Sequence, residues 1–323
     1  METAARSMAD ISDEEIVFDL VYIFEVENGK PRRIQTFDPL RMFRVARMLA
    51  RHKPDLLIVS LWRSCVVGIL YKLLRPRGKL VVFLHLPDDV HWIDALFTRI
   101  ALLISSQAWA DSKATLAQRA SYNKPQRSIS FVTQRYTPIS RKEPAPVFVF
   151  WGRISAQKGL DRALRLFARI RSRHANARFH IIGPDGGAQD SIRKLIGRLA
   201  LGQSVLLAGE RRHDQIAEVA REASFYLQTS LTEGMAISVV EAMQLGLVPI
   251  VTPVGEIGNY CRDGENSIVV SEDIKAASQI ERLLCSPDRY RDISEAAIAT
   301  WQDRPLYRDD VMSACRDFLG AAG

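Results

Sequence analysis

Val147-Phe148-Val149-Phe150-Trp151-Gly152-Arg153-Ile154-Ser155-Ala156-Gln157-Lys158-Gly159 reads as a strand, a loop and the threshold of a helix. The apolar run ends at Trp151, and Gly152 lets the chain turn sharply. Residues 160–173 then read as a helix that begins after Gly159. Downstream the same rhythm repeats, with strands expected at 177–182, 204–207, 224–227, 248–251 and 267–270. Helices expected at 191–200 and 238–245 lie among them. Short apolar runs alternating with helical stretches are how a parallel sheet with crossover helices is written.

Upstream, strands are expected at 17–26, 56–60 and 80–84, and helices at 39–52, 66–74 and 92–105. Pro76 and Gly78 end the second of these helices. Between the two series, residues 134–147 hold Pro138, Pro144 and Pro146 among polar neighbours and read as a linker. From Glu272 onward the pattern is largely helical, and no internal repeat stands out. Two doubly wound sheets in one chain imply a crevice at the carboxyl ends of their strands, where such folds bind ligands.

Bulk properties agree with two ordinary domains: 323 residues, 47% hydrophobic and 25% charged. No apolar run is long enough to span a bilayer. The acidic start lacks the layout of a secretory signal. Cys65, Cys261, Cys285 and Cys315 form no CxxC pair, which fits a reducing cytoplasm. The net charge of +7 is concentrated: residues 30–140 hold 19 Lys/Arg against 6 Asp/Glu. An anionic partner is therefore expected on the first domain. Nucleic acid is not that partner, because the motifs of the common binding modules are absent.

Two constellations carry chemistry. Arg153 and Lys158 sit in the loop at a strand's carboxyl end, where two cations suit a diphosphate. The competing reading is a pair of solvated loop charges. The second constellation is Glu233-Gly234-Met235-Ala236-Ile237-Ser238-Val239-Val240-Glu241, expected to open a helix at Glu233 and Gly234. Free N–H groups of a first helical turn bind anions, and Gly234 permits close approach. Glu241 lies about 12 Å further on if the segment is fully helical. That spacing suits one carboxylate at a sugar and another at the ribose of the same nucleotide. Glu241 sits among apolar neighbours and needs hydrogen-bond donors, which paired ribose hydroxyls supply. The competing reading is a capping Glu233 and an exposed helical Glu241.

Gly152-Arg153 with Lys158-Gly159, Ile181-Ile182-Gly183, the Glu233 to Glu241 segment and Gly246-Leu247-Val248-Pro249-Ile250 occur in that order. Thr252-Pro253-Val254-Gly255-Glu256-Ile257 and Asp263-Gly264-Glu265-Asn266 follow. This ordered set, over residues 147–271, resembles the retaining glycosyltransferases of the family-4 type (glycosyl transferases group 1). The resemblance implies an α/β GT-B fold, two Rossmann-like doubly wound domains facing a central crevice. Its implied divisions are 1–140 for the acceptor-side domain, 141–303 for the donor-binding domain, and a helix in 304–323 returning to the first.

The same resemblance implies an enzyme, a retaining hexosyltransferase of EC 2.4 type, with a nucleotide diphosphate sugar as donor and no cofactor or metal. Arg153 and Lys158 would hold the diphosphate and stabilise the leaving group. Glu233 would contact the donor sugar, and Gly152, Gly234, Met235 and Ala236 would line the donor. Glu241 would take the ribose hydroxyls. A histidine after the matching strand of the first domain approaches the donor sugar in the family, which points to His85. Asp88-Asp89 is not read as a metal pair. The acceptor would be a glycan or lipid-linked molecule in surface polysaccharide synthesis.

The sequence departs from the family pattern at the start, where 17–26 leads into Glu27-Asn28-Gly29-Lys30-Pro31 with a single glycine, and the first domain reads as shortened. A non-catalytic sugar-nucleotide-binding or partner subunit is the alternative. Helix 39–52 is expected to place Met42, Phe43, Val45, Ala46, Leu49 and Ala50 on one side and Arg41, Arg44, Arg47 and Arg51 on the other. That basic face admits an ordinary solvated surface or peripheral contact with an anionic membrane from the cytoplasmic side.

Overall fold

A computed structural model describes residues 8, 16–21, 23, 26–27, 30–31, 38–85, 89, 91–119, 124–139, 143–212 and 215–320. The chain forms two compact units, Met1–Thr133 with Pro305–Gly323, and Gln134–Arg304.

The first unit opens with a two-residue antiparallel ladder, β1 (Val26–Glu27) against β2 (Lys30–Pro31). The strand expected at 17–26 does not form as such: its described residues before Val26 hold only an isolated bridge at Val17, and Val17 is exposed. Ile16 and Phe18 pack against the core formed by Val81, Phe83 and Trp109, so the apolar residues of this segment cover that core rather than alternate within a ladder. Next comes α1 (Pro39–His52), started by Asp38, whose side chain accepts from the Arg41 N–H. Met42, Ala46 and Leu49 form its buried stripe. Phe43 falls one position outside that stripe and is 41% exposed, contrary to the wheel expected from sequence.

Then follow β3 (Leu57–Ser60), α2 (Leu61–Leu74), β4 (Leu80–Leu84), α3 (Trp92–Ile104), β5 (Gln107–Ala110), α4 (Lys113–Arg119) and β6 (Gln126–Ser128). The four strands β3-β4-β5-β6 make one parallel sheet. α2 starts five residues earlier than its apolar run, because Trp62-Arg63-Ser64 hides the helical period in the sequence.

The second unit holds β7 (Val147–Trp151), α5 (Leu160–Arg173), β8 (Arg178–Ile182), α6 (Gln189–Arg198), β9 (Val205–Gly209), α7 (Ile216–Ala220) and β10 (Phe225–Gln228). It continues through α8 (Ile237–Gln244), β11 (Val248–Val251), α9 (Ile257–Tyr260), β12 (Ile268–Val269), α10 (Asp273–Leu284) and α11 (Pro287–Gln302). Six parallel strands run in the order β12-β11-β10-β7-β8-β9. The longer helices bury apolar residues along one side. On α5 the stripe is Leu160, Ala163, Leu164, Phe167 and Ile170, all buried.

The strand order matters for function. The chain starts at β7, winds outward to β9, and returns to β10 on the other side of β7. Connections therefore leave in opposite directions from β7 and β10 and open a crevice beyond their carboxyl ends, the topological switch point of an open α/β sheet. After α11 the chain returns to the first unit as α12 (Tyr307–Gly320). Tyr307, Val311, Ala314 and Cys315 of α12 pack with Val81, Phe83, Trp109 and Ile129. Arg127 pairs with Asp310 at 3.1 Å and Asp317 at 2.5 Å.

Candidate functional site

The loops leaving β7 and β10 meet at that switch point. After Trp151, Gly152 donates its N–H to Ile182 O at 2.9 Å and Ile154 donates to Pro184 O, so the loop first runs alongside β8. A 3₁₀ turn, Ala156–Lys158, ends at Gly159, whose φ is +60°. A Cβ there would lie 1.9 Å from Thr229 O. Glycine is thus needed twice at this point, for the left-handed turn and for the approach of the β10 loop. That approach is stitched by Leu231 N–H to Gln157 O (2.8 Å), Thr229 Oγ1 to Gly159 O (2.7 Å) and Gln157 Nε2 to Thr232 O (2.9 Å).

The stitching brings Lys158 to Glu233. Lys158 Nζ lies 2.7 Å from Glu233 Oε1, and the same oxygen accepts from Ser230 Oγ at 2.6 Å and Gln228 Nε2 at 3.1 Å. Side-chain exposure is 18% for Lys158 and 7% for Glu233. Neither a solvated lysine nor a capping glutamate describes this pair. Arg153 is exposed, its stem lies over Gly186, and among the described residues no carboxylate pairs with it. No hydrogen bond joins it to Lys158 or Glu233.

The helix does not open at Glu233 and Gly234 as expected. It opens at Ile237, with Ala236 as its N-cap at φ +55°. Two neighbours impose this. Glu256 donates its N–H to Gly234 O at 3.0 Å, and Tyr260 OH donates to Met235 O at 2.8 Å. Both claim carbonyls that a regular first turn would use for itself. Gly255, at φ +57°, is so close that a Cβ would sit 2.0 Å from Glu233 O. Gly234 and Met235 are half-buried and Ala236 is buried. Among the described residues, no acceptor takes the N–H groups of Gly234, Met235 or Ala236. Unpaired donors at a helix start are suited to an anion.

Glu241, one turn into α8, is 5% exposed. Its Oε2 accepts from the Trp151 indole N–H at 2.7 Å. Tyr136 is hydrogen-bonded to the same carboxylate, and burial first, then the Glu241 charge, push its phenol well above the usual range. Tyr226 lies behind, its hydroxyl 3.1 Å from Trp151 O and 2.7 Å from Gln228 Oε1; burial holds its phenol neutral. Ser238 Oγ donates to the same Gln228 oxygen at 3.0 Å. One buried network therefore links Glu241, Trp151, Tyr226, Gln228 and Glu233. Trp151, Tyr136, Gln228 and Ser230 were assigned no role from sequence. The signal was the run Gln228-Thr229-Ser230, polar directly after an apolar strand and fully buried.

In the first unit His85 follows β4. Its ring stacks on Phe83 (centroids 4.6 Å) and meets Phe131 edge-on, and Nδ1 lies 3.4 Å from Asp111 Oδ2. That separation is an electrostatic contact, longer than a hydrogen bond. It lines a pocket of about 230 Å³ with Trp62, Arg63, His91, Asp94 and Arg119. Asp89 pairs with Arg119, and Asp88 lies outside the described residues.

Fold and site together define a doubly wound α/β protein whose β7 and β10 loops are joined by the Lys158–Glu233 pair at the switch point of its second sheet. Solved structures share the fold. TarM has a TM-score of 0.73 at 14% identity, covering 86% of this chain and 58% of that one. Anabaena Alr3699/HepE in complex with UDP-glucose has a TM-score of 0.71 at 19% identity, covering 90% and 86%. These likenesses show a GT-B architecture. Residues 134–300 match the family described as glycosyl transferases group 1, and the chain belongs to that family.

Among curated relatives, the GDP-mannose:cellobiosyl-diphosphopolyprenol alpha-mannosyltransferase of Xanthomonas oryzae pv. oryzae (strain PXO99A) is 27% identical over 174 residues, 53% of this chain and 46% of that protein. The phosphatidylinositol N-acetylglucosaminyltransferase gpi3 subunit of Schizosaccharomyces pombe is 34% identical over 105 residues, 32% of this chain and 23% of that protein. The match spans less than half the length of each.

Proposed function

We propose that the protein is a retaining hexosyltransferase that takes a sugar from a nucleotide diphosphate donor and delivers it to a glycan or lipid-linked acceptor in surface polysaccharide synthesis. One observation carries the reading: Lys158 and Glu233 meet at 2.7 Å beside the unpaired N–H groups of Gly234, Met235 and Ala236, at the sheet's switch point. Transfer requires that charge on the departing diphosphate be stabilised as the anomeric carbon becomes oxocarbenium-like. Fixed cations and N–H dipoles supply that stabilisation without reorganising.

In this reading Lys158 and Arg153 neutralise the diphosphate, with Gly152 and Gly234 admitting it closely. Three donors occupy Glu233 Oε1. They leave Oε2 to accept from a hydroxyl of the donor sugar. Glu241 takes the ribose.

A lipid-linked acceptor and a membrane-facing position have separate support. The outward side of α1 carries Arg44, Arg47 and Arg51 among exposed Leu40, Phe43 and Met48, and α3 exposes Trp92, Leu96 and Leu103. Basic residues among apolar ones suit an anionic bilayer surface. No helix among the described residues is long and apolar enough to cross a membrane.

The test is a panel of UDP-, GDP- and ADP-sugars, read for binding and slow hydrolysis. One base is expected to bind and turn over, and Glu233→Ala should cut turnover about 100-fold or more. No binding by any member would overturn the reading. The second reading, a sugar-nucleotide-binding partner subunit, draws on the first unit's smaller sheet, four strands against six. Binding without turnover, indifferent to Glu233→Ala, would favour it.

A further inference from the structure

Three consecutive carbonyls of the loop between β10 and α8 face one later segment. Gly255 lies so close that a Cβ there would sit 2.0 Å from Glu233 O and 2.7 Å from Gly234 O. Glu256 donates its N–H to Gly234 O at 3.0 Å, and the Tyr260 hydroxyl donates to Met235 O at 2.8 Å. These peptides are trans, and in a planar trans peptide the C=O and the N–H point in opposite directions. The N–H groups of Gly234, Met235 and Ala236 belong to the same three peptides. They are therefore turned, in succession, to the face away from residues 255–260. None has an acceptor among the described residues. Successive N–H groups on one face make an anion-binding concavity.

The third peptide is the one held by a side chain. Ala236 sits at φ +55° and ψ +66°, a left-handed conformation that a residue with a Cβ avoids. Tyr260 is itself anchored. It closes α9, its ring meets Trp301 edge-on at 5.1 Å and 73°, and its carbonyl accepts from Asn266 Nδ2 at 2.8 Å. Burial holds its phenol neutral, so the hydroxyl remains a donor.

We propose that the Tyr260 hydroxyl is the positioning group that holds the Met235–Ala236 peptide with its N–H toward the diphosphate of the donor. This rests on the reading of that loop as the diphosphate site. Without the hydroxyl, Ala236 leaves its left-handed conformation and the peptide turns with it. A diphosphate must then order the loop itself, which weakens its binding. A nucleoside without phosphates does not use these N–H groups and is unaffected.

The experiment is calorimetric titration of UDP, GDP and ADP, and of their nucleosides, into wild type, Tyr260→Phe, and the double variant Tyr260→Phe, Ala236→Gly. Tyr260→Phe removes one oxygen and leaves the ring against Trp301, and nucleoside binding reports that the fold is intact. Glycine takes the left-handed conformation without steric cost, so the second substitution supplies what the hydroxyl did. Tyr260→Phe should bind the preferred diphosphate about tenfold more weakly, with its nucleoside held to within about twofold. The double variant should return to within about threefold of wild type. A wild type that binds no nucleoside diphosphate, or binds it no better than the nucleoside, overturns the donor reading and the proposal together. Unchanged diphosphate affinity in Tyr260→Phe, equal losses for diphosphate and nucleoside, or a loss that Ala236→Gly does not relieve overturns the proposal alone.

Discussion

Replacing Glu233 by leucine strips three donors of their shared acceptor. Lys158 keeps a mostly buried ammonium with no counter-charge, and Ser230 and Gln228 lose a partner in a buried site. Removing one partner of a buried pair costs about 3–5 kcal/mol, and the 18% exposure of Lys158 places this site at the lower end, about 3 kcal/mol. Lys158→Met keeps the apolar stem and leaves Glu233 with its two neutral donors, so about 2 kcal/mol is expected. If the pair is the physical unit, the double variant should lose about 3 kcal/mol rather than the sum of about 5. The coupling of about 2 kcal/mol is measurable by urea unfolding followed by tryptophan fluorescence, provided the m-values agree. Costs that add to within about 0.5 kcal/mol would refute the pairing.

Other outcomes follow from single features. Gly159→Ala meets both a positive φ and Thr229 O; it should cost about 2–3 kcal/mol in the same unfolding assay and separate the two loops. Burial pushes the Cys65 and Cys261 thiols up to about 12 and Cys315 to about 11, while Cys285 is exposed. A disulfide reagent at pH 8 should therefore titrate one thiol in the native protein and four after unfolding. Burial lowers the His180 imidazole below its usual value, so the unfolded chain binds its proton first. Stability from this group is complete above about pH 6.5 and declines as pH falls through the window down to the folded value. His180→Gln should flatten that decline in unfolding measured from pH 7.5 to 5.

The second unit was the more legible half of the sequence. β7, α5 and β11 match their expected bounds: β7 is an unbroken apolar run between Pro146 and Gly152, α5 is an apolar stripe that opens after Gly159, and β11 is a short run that stays apolar through its internal Pro249. In the first unit β5, Gln107-Ala108-Trp109-Ala110, gave no strand signal. Small alanines and a leading glutamine carry little β preference, and only pairing with β4 and β6 makes the segment a strand. The site divided in the same manner. Lys158, Glu233 and Glu241 stood out by charge and spacing, yet their contacts depend on loops 70 to 90 residues apart in sequence. Trp151 read only as the last apolar residue of a strand, since an indole's single polar atom leaves no trace in a hydrophobic pattern. The left-handed Ala236 was equally hidden, because Tyr260 and Glu256 impose it from a later segment.

The most direct measurement is the affinity of the preferred nucleoside diphosphate, and of the same nucleoside without phosphates, for wild type and for the Arg153→Ala, Lys158→Ala double variant. The expected result is a loss of about 100-fold for the diphosphate, with the nucleoside bound as before. Diphosphate affinity that survives the loss of both cations would contradict a donor site at the carboxyl ends of β7 and β10.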